Sequence, residues 1–431
     1  MGNKTDDRAG ALQMLDITAS RSPSVTAKTF NSPPTPHTPV ESNMIRPGDL
    51  NMLTPPSSPP RRAGRLDESN VDYELLPNLR SSVDVPRSLT YTTDGIIVCP
   101  YEIDLVKDND NQAQTFGFGA WSNVFKGTCS VNLSISHGLM TPPARSIPSP
   151  PLMVAVKTPA RKDAITILRN EALILSRLRE LDSNEEHVAA FHGIIDNESS
   201  LVLAAHPLSL DDYIRSCAQK PLTTMTTDSM SSPVIGTASI WLDLADKLIS
   251  TLNWMHNEAL IVHGDIKPGN ILLRPSRPTS SKRSTFDYQP LFIDFSSSQR
   301  LDTAAITSIT LSAVTKEYTA PELLTVAVMK DPNSCATTAS DVFSLAITLL
   351  VAATGDPMVY SGFSAMQRQM LATQGWGVLN NVQSSRVPRH GIVRRVLEKA
   401  VLKKDAGRIS TTTWLDVVEN TRKDMASSTK L

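Results

Sequence analysis

His263-Gly264-Asp265-Ile266-Lys267-Pro268-Gly269-Asn270 is a polar stretch caught between two apolar ones, Ile261-Val262 and Ile271-Leu272-Leu273. Short apolar runs of this kind bury, so the polar residues between them form a loop with fixed ends. Asp265, Lys267 and Asn270 lie within six residues and can point at one spot. Alone, the stretch also reads as a solvated turn.

Such a trio suits phosphoryl transfer. A carboxylate can orient a hydroxyl and take its proton, a cation can offset charge on the moving group, and an amide oxygen can bind Mg²⁺. Working outward, Ile293-Asp294-Phe295-Ser296 places an Asp directly after an apolar run. A carboxylate at a strand end can reach a divalent ion held jointly with phosphates. By itself it is equally a strand-ending turn. Upstream, Gly117-Phe118-Gly119-Ala120-Trp121-Ser122-Asn123-Val124 has two glycines that permit close backbone approach to phosphate, or that simply close a hairpin.

Leu152-Met153-Val154-Ala155-Val156-Lys157 reads as a strand that buries a lysine. A buried ammonium needs a matching charge, and Glu171, on the helix predicted over residues 164–181, is the natural partner. Otherwise Lys157 snorkels to water and Glu171 lies on a solvated face. That helix is read from Ile165, Leu168, Ala172, Leu175 and Leu178. Leu201-Val202-Leu203 predicts another strand, and residues 240–256 another amphipathic helix. Asp341 to Ala352 is apolar enough for a helix inside a core. Near the end, Arg408 is a candidate ion-pair partner for Glu322 of Tyr318-Thr319-Ala320-Pro321-Glu322.

Composition narrows the classes. A formal net charge of -1 gives no basic field for nucleic acid or an anionic membrane. The four cysteines are scattered without a CxxC pair, which argues against a zinc cluster or disulfide framework and for a reducing compartment, cytoplasmic or nuclear. There is no apolar run long enough to span a membrane. Met1-Gly2-Asn3-Lys4-Thr5-Asp6 misses a myristoylation signal because Asp6 stands where Ser or Thr is needed.

A third of the 30 prolines fall before residue 65, so residues 1–90 are expected to be a disordered Ser/Thr-Pro-rich tail. Patterned sequence follows, strands first and helices later, which predicts an α+β, two-lobed body. Stretches near 128–151, 219–238 and 274–290 are expected to be surface insertions in that body.

In order and approximate spacing these elements resemble the signature set of eukaryotic protein kinases of the serine/threonine type, over about residues 93–420. The resemblance implies a small β-rich N-lobe, a larger helical C-lobe, and ATP and Mg²⁺ as cofactors. It implies Asp265 as base, Lys267 at the γ-phosphate, and Lys157 with Glu171 holding the α- and β-phosphates. Asn270 and Asp294 would take the metal. Gly117, Phe118, Gly119 and Val124 would cover the nucleotide. Ala155 and Leu272 would sandwich the adenine, with Leu203 as gatekeeper and Ala204 to Pro207, Ala205 among them, as hinge. Thr315 resembles the threonine that bonds the base and its lysine.

Two departures stand out. Gly264 replaces the family's arginine, which pairs with a phosphorylated activation loop, so activity is expected not to require phosphorylation of Thr307, Ser308, Thr310 or Ser312. Ser296 replaces a glycine and is expected to restrict motion of Phe295. It keeps open an alternative, a catalytically weak pseudokinase acting as a binding scaffold.

In the tail, Ser22, Ser32, Thr35, Thr38, Thr54 and Ser58 each precede proline, the acceptor pattern of proline-directed kinases. Met52-Leu53-Thr54-Pro55-Pro56-Ser57-Ser58 resembles a doubly phosphorylated degron read by an F-box WD40 ubiquitin ligase subunit. The combination of tail and loop is similar to fungal regulatory kinases, of the type of the yeast kinase named for inhibition of staurosporine resistance. Protein substrates are the expected partners, with neither nucleic acid nor a membrane span.

Overall fold

A computed structural model describes residues 89–130, 152–220, 231–276, 285–302, 315–331, 334–360, 362–375, 377–382, 387 and 391–428. The expected disordered tail, its proline-directed sites and the degron lie outside the described residues. Thr90 does not belong with that tail: its carbonyl accepts from the Val98 amide at 2.9 Å, closing a small hairpin.

β1 (Glu102–Leu105), β2 (Thr115–Phe118), β3 (Ser122–Ser130), β4 (Leu152–Pro159), β5 (Phe191–Ile195) and β6 (Ser200–Ala204) form one antiparallel sheet. Its order is β1-β3-β4-β6-β5, with β2 also paired to β3. Period-2 alternation decides the faces. Val154 and Val156 of β4 are buried with Cys129 and Val202. Ala155 and Lys157 therefore point the other way. Helix α1 (Ala164–Arg179) packs on β4 and β5 and buries Leu168, Ala172, Leu175 and Leu178. Ile165, expected in that stripe, is instead 37% exposed, while its neighbour Ala164 is fully buried, so the buried stripe starts one residue earlier.

The C-lobe is helical. α2 (Leu210–Gln219) and α3 (Ala238–Asn257) start at Ser209 and Thr237, whose hydroxyls accept from Asp212 N and Ile240 N. α4 (Thr338–Thr354) opens with a Thr337/Ser340 capping box and stops at Gly355, whose φ of 74° suits glycine. Every residue from Ser340 to Ala353 is buried, so α4 is the axis of this lobe. α5 (Ala365–Gln374) and α6 (Thr411–Ser428) are its other long helices. Between α3 and α4 run β7 (Ile261–Val262), paired to β10 (Gln299–Arg300), and β8 (Ile271–Pro275), paired to β9 (Tyr288–Phe292).

The insertions are shorter than the sequence suggests. Thr128 and Cys129 continue β3 opposite Met153 and Leu152. Gln219 closes α2 and Ala238 opens α3. Arg274 and Pro275 belong to β8, and residues 288–290 to β9. Polar or proline-containing ends hid these residues, which the ladder and helix hydrogen bonds recruit.

Candidate active site

Burying Lys157 creates the first half of the site. It is 6% exposed on β4, and its Nζ donates to Glu171 Oε1 at 2.8 Å, Glu171 Oε2 at 2.7 Å and Asp294 Oδ1 at 2.7 Å. Burial alone would lower the ammonium, but the Asp294 and Glu171 carboxylates outweigh it and hold Lys157 above its usual range. One cation thus serves two acids unequally. Burial would raise Asp294 too, yet Lys157 and a Ser296 hydrogen bond pull it well below the usual carboxylate range. Glu171, only 1% exposed, is pushed up by burial against the pull of Lys157. Glu171 Oε1 also accepts from the Phe295 amide at 3.2 Å, so α1, β4 and the 294–297 turn meet at one carboxylate.

Asp294 has a φ of 64°, a left-handed conformation that Asp tolerates better than most residues. Ser296 lies in the 3₁₀ turn Phe295–Ser297 without positive φ, so this conformation does not need glycine there. Instead its side chain reaches the carboxylate it follows.

The second half is the loop at 263–270. Lys267 Nζ donates to Asp265 Oδ2 at 2.7 Å and to Thr315 Oγ1 at 3.1 Å. Asn270 Nδ2 donates to the Asp265 carbonyl at 2.8 Å and to its Oδ2 at 3.1 Å. The Asn270 amide nitrogen is therefore used inward, and its oxygen remains as a candidate acceptor or ligand.

A buried carboxylate holds this loop from below. Asp341 of α4, 1% exposed, accepts from the His263 amide at 2.7 Å and the Gly264 amide at 2.9 Å, with His256 Nε2 3.1 Å away. His263 Nε2 lies 3.1 Å from the Ile293 carbonyl, tying the loop to the Asp294 strand. Gly264 has a φ of 83°, and a Cβ there would stand 2.5 Å from the Ser297 carbonyl oxygen. No arginine fits this backbone without displacing the 294–297 turn. Sequence reading missed Asp341 and His256. The available signal was a carboxylate opening an otherwise apolar helix, since such a charge must find buried donors.

Cross-strand partners share a face. Lys157 stands opposite Val124, and Ala155 opposite Leu203, so the sheet presents Val124, Ala155, Lys157 and Leu203 on one side. Leu272 is half-buried between fully buried Ile271 and Leu273. The Ala205 amide bonds the Met153 carbonyl at 3.4 Å just after β6. Gly117 and Gly119 flank Phe118, which is 73% exposed. Neither glycine has positive φ, and a Cβ at Gly117 would meet nothing within 4 Å. The protein's own packing does not explain Gly117; the open space beside it suits close approach by another group.

Farther off, Arg408 forks onto Glu322 with two bonds of 2.6 Å, an interaction spanning 86 residues of sequence. This joins the Tyr318–Glu322 segment to the lower lobe as the sequence suggested.

A family model described as the protein kinase domain matches residues 152–413. The chain belongs to that family. No curated protein matches it. The match begins at β4, so the glycine hairpin lies ahead of it, but the unbroken β3–β4 register from Ser122–Pro159 to Cys129–Leu152 builds that hairpin into the same sheet. Among the described residues no helix is long and apolar enough to cross a membrane.

Proposed function

We propose that the chain is an active serine/threonine protein kinase using ATP and Mg²⁺. The observation that carries this reading is the closed Lys157–Glu171–Asp294 set standing beside a closed Asp265–Lys267–Asn270–Thr315 set. Bound ATP supplies the transferred phosphoryl group, and Mg²⁺ offsets its charge. The donor set suits the ion: Asn270 spends its amide nitrogen inside the loop and keeps its oxygen as an acceptor, and a third of the Asp294 side chain is exposed. Lys157 would hold the phosphates with Glu171 keeping it in place. Asp265 would orient the hydroxyl and take its proton, and Lys267 would offset charge at the γ-phosphate. Gly117, Phe118 and Gly119 would cover the nucleotide, with Val124, Ala155, Leu203, Ala205 and Leu272 around the base.

Serine/threonine specificity rests on Lys267 two residues after Asp265 and its bond to Thr315. Activity independent of loop phosphorylation is supported by Gly264, whose backbone leaves no room for the family's phosphate-binding arginine. Residues 307, 308, 310 and 312 lie outside the described residues. Regulation is assigned to the tail, through proline-directed kinases and an F-box WD40 ubiquitin ligase subunit reading Thr54 and Ser58. An unchanged half-life on Thr54→Ala would remove the degron. Four free cysteines suit a reducing compartment, cytoplasm or nucleus.

The test is γ-phosphate transfer to a peptide library by purified protein beside Asp265→Asn. Transfer to serine or threonine peptides, reduced roughly 10²–10⁴-fold in Asp265→Asn, is the expected result for loss of a general base. Transfer no greater than the control would favour the scaffold reading.

A further inference from the structure

Thr90 to Val98 forms a hairpin ahead of the family-matched region, and it grips α1 from the side opposite the active site. Its tight turn is closed by the Thr92 amide bonding the Ile96 carbonyl at 2.8 Å, with Gly95 at a φ of 85°. Ile96 and Ile97 are fully buried in the cluster that holds Leu168, Ala172, Leu175 and Ile194. The Ile97 amide donates to Ser176 Oγ at 3.0 Å, and that hydroxyl donates on to the Ala172 carbonyl at 2.7 Å, inside α1. At the rim, Arg169 of α1 reaches Asp94 at 2.9 Å and Asp196 at 2.8 Å. Tyr91 reaches Glu180, the C-cap of the same helix, at 3.1 Å.

The hairpin is also fastened to the sheet. Ile194 and Val98 bridge in parallel, with the Cys99 amide on the Ile194 carbonyl at 3.0 Å and the Ile194 amide on the Ile97 carbonyl at 2.8 Å. A Cβ on Gly193, whose φ is 127°, would stand 2.5 Å from the Cys99 nitrogen. β5 is thus shaped to let this segment lie against it.

We infer that the Thr90–Val98 hairpin is a positioning element of the phosphotransfer site, holding α1 where Glu171 meets Lys157. This rests on the kinase reading above. Glu171 is fixed to the same helix turns that carry Arg169, Ala172 and Ser176, so release of the outer face frees the inner carboxylate. Misplacement of a positioning group by about 1 Å can reduce turnover 10²-fold.

The experiment compares wild type, Ile96→Ala/Ile97→Ala, Asp94→Arg and a control, Asp104→Arg, on the exposed β1. For each, kcat and the KM for ATP are measured per folded molecule, and hydrogen exchange is followed in α1. The double variant is expected to lose tenfold or more in kcat and to exchange faster in α1. Asp94→Arg sets two cations together at the surface without touching the core, so it decides the matter should the double variant not fold. Its kcat is expected to fall about threefold while Asp104→Arg stays at wild type. Variant kcat equal to wild type, with wild type active, would overturn the inference. An inactive wild type would instead overturn the kinase reading.

Discussion

Glu171 and Asp341 are both carboxylates at 1% exposure, one in each lobe, and the balance of side-chain and main-chain partners differs between them. Glu171 is matched chiefly by a side-chain cation, Lys157, which it shares with Asp294. Asp341 accepts chiefly from two backbone amides, His263 and Gly264, with the His256 ring 3.1 Å away. Glu171 sits on α1, held against the sheet from outside by a separate hairpin. Asp341 sits on α4, buried along almost its whole length. A carboxylate paired to a cation can change partners when substrate arrives. One pinned by main-chain amides only fixes the shape of what it holds. The upper lobe therefore supplies the adjustable charge, and the lower lobe the rigid loop.

Substitutions can break that contrast. Asp341→Ala leaves two buried amides without acceptors, each costing roughly 1–3 kcal/mol. Its unfolding free energy should drop by about 3 kcal/mol in urea titration, with phosphotransfer lost as well. Glu171→Gln keeps the volume but frees Lys157 from one acid. It should lose roughly 10²-fold in kcat, the scale of a misplaced positioning group, with a urea midpoint close to wild type. Equal stability losses in the two variants would erase the distinction.

A third measurement sharpens the upper lobe's dependence on burial. His192 of the bulged β5 is lowered to about 4 by burial, aided by Arg179. Its unfolded value is near 6.5. Between those two values the unfolded chain binds more protons, so stability falls as pH drops from about 6.5 towards 4. Urea midpoints should decline over that window, less steeply in His192→Gln. The smallest effect is expected where an effect is usually sought. Changing Thr307, Ser308, Thr310 and Ser312 together to Ala should leave kcat within about twofold, because Gly264 provides no arginine to meet a loop phosphate.

The parts legible in the sequence were those where a charge stood in an apolar setting. Lys157 inside a strand demanded an acid, and Glu171 lay one helix away. Asp265, Lys267 and Asn270 were compressed into one loop, so proximity in sequence meant proximity in space. The Arg408–Glu322 pair reads in the sequence only as a candidate beside two unrelated surface charges, since nothing local links residues 86 apart. The hairpin at Thr90–Val98 was unreadable for a different reason. Its function lies in register against β5 and α1, and Ile96-Ile97 alone does not say which surface it covers. A carboxylate opening the apolar helix signals that Asp341 needs buried donors, but nothing in the sequence says that these are the His263 and Gly264 amides. Gly264 reads in the sequence as a missing arginine; the Ser297 carbonyl beneath it is what makes the backbone require glycine.

The most direct measurement is kcat for γ-phosphate transfer from Mg-ATP to a serine/threonine peptide by phosphatase-treated full-length protein, beside Asp265→Asn treated identically. The assembled lysine, glutamate and aspartate set predicts turnover in the unphosphorylated protein, reduced roughly 10²–10⁴-fold by the substitution. Turnover in the treated wild type no higher than in Asp265→Asn would contradict it.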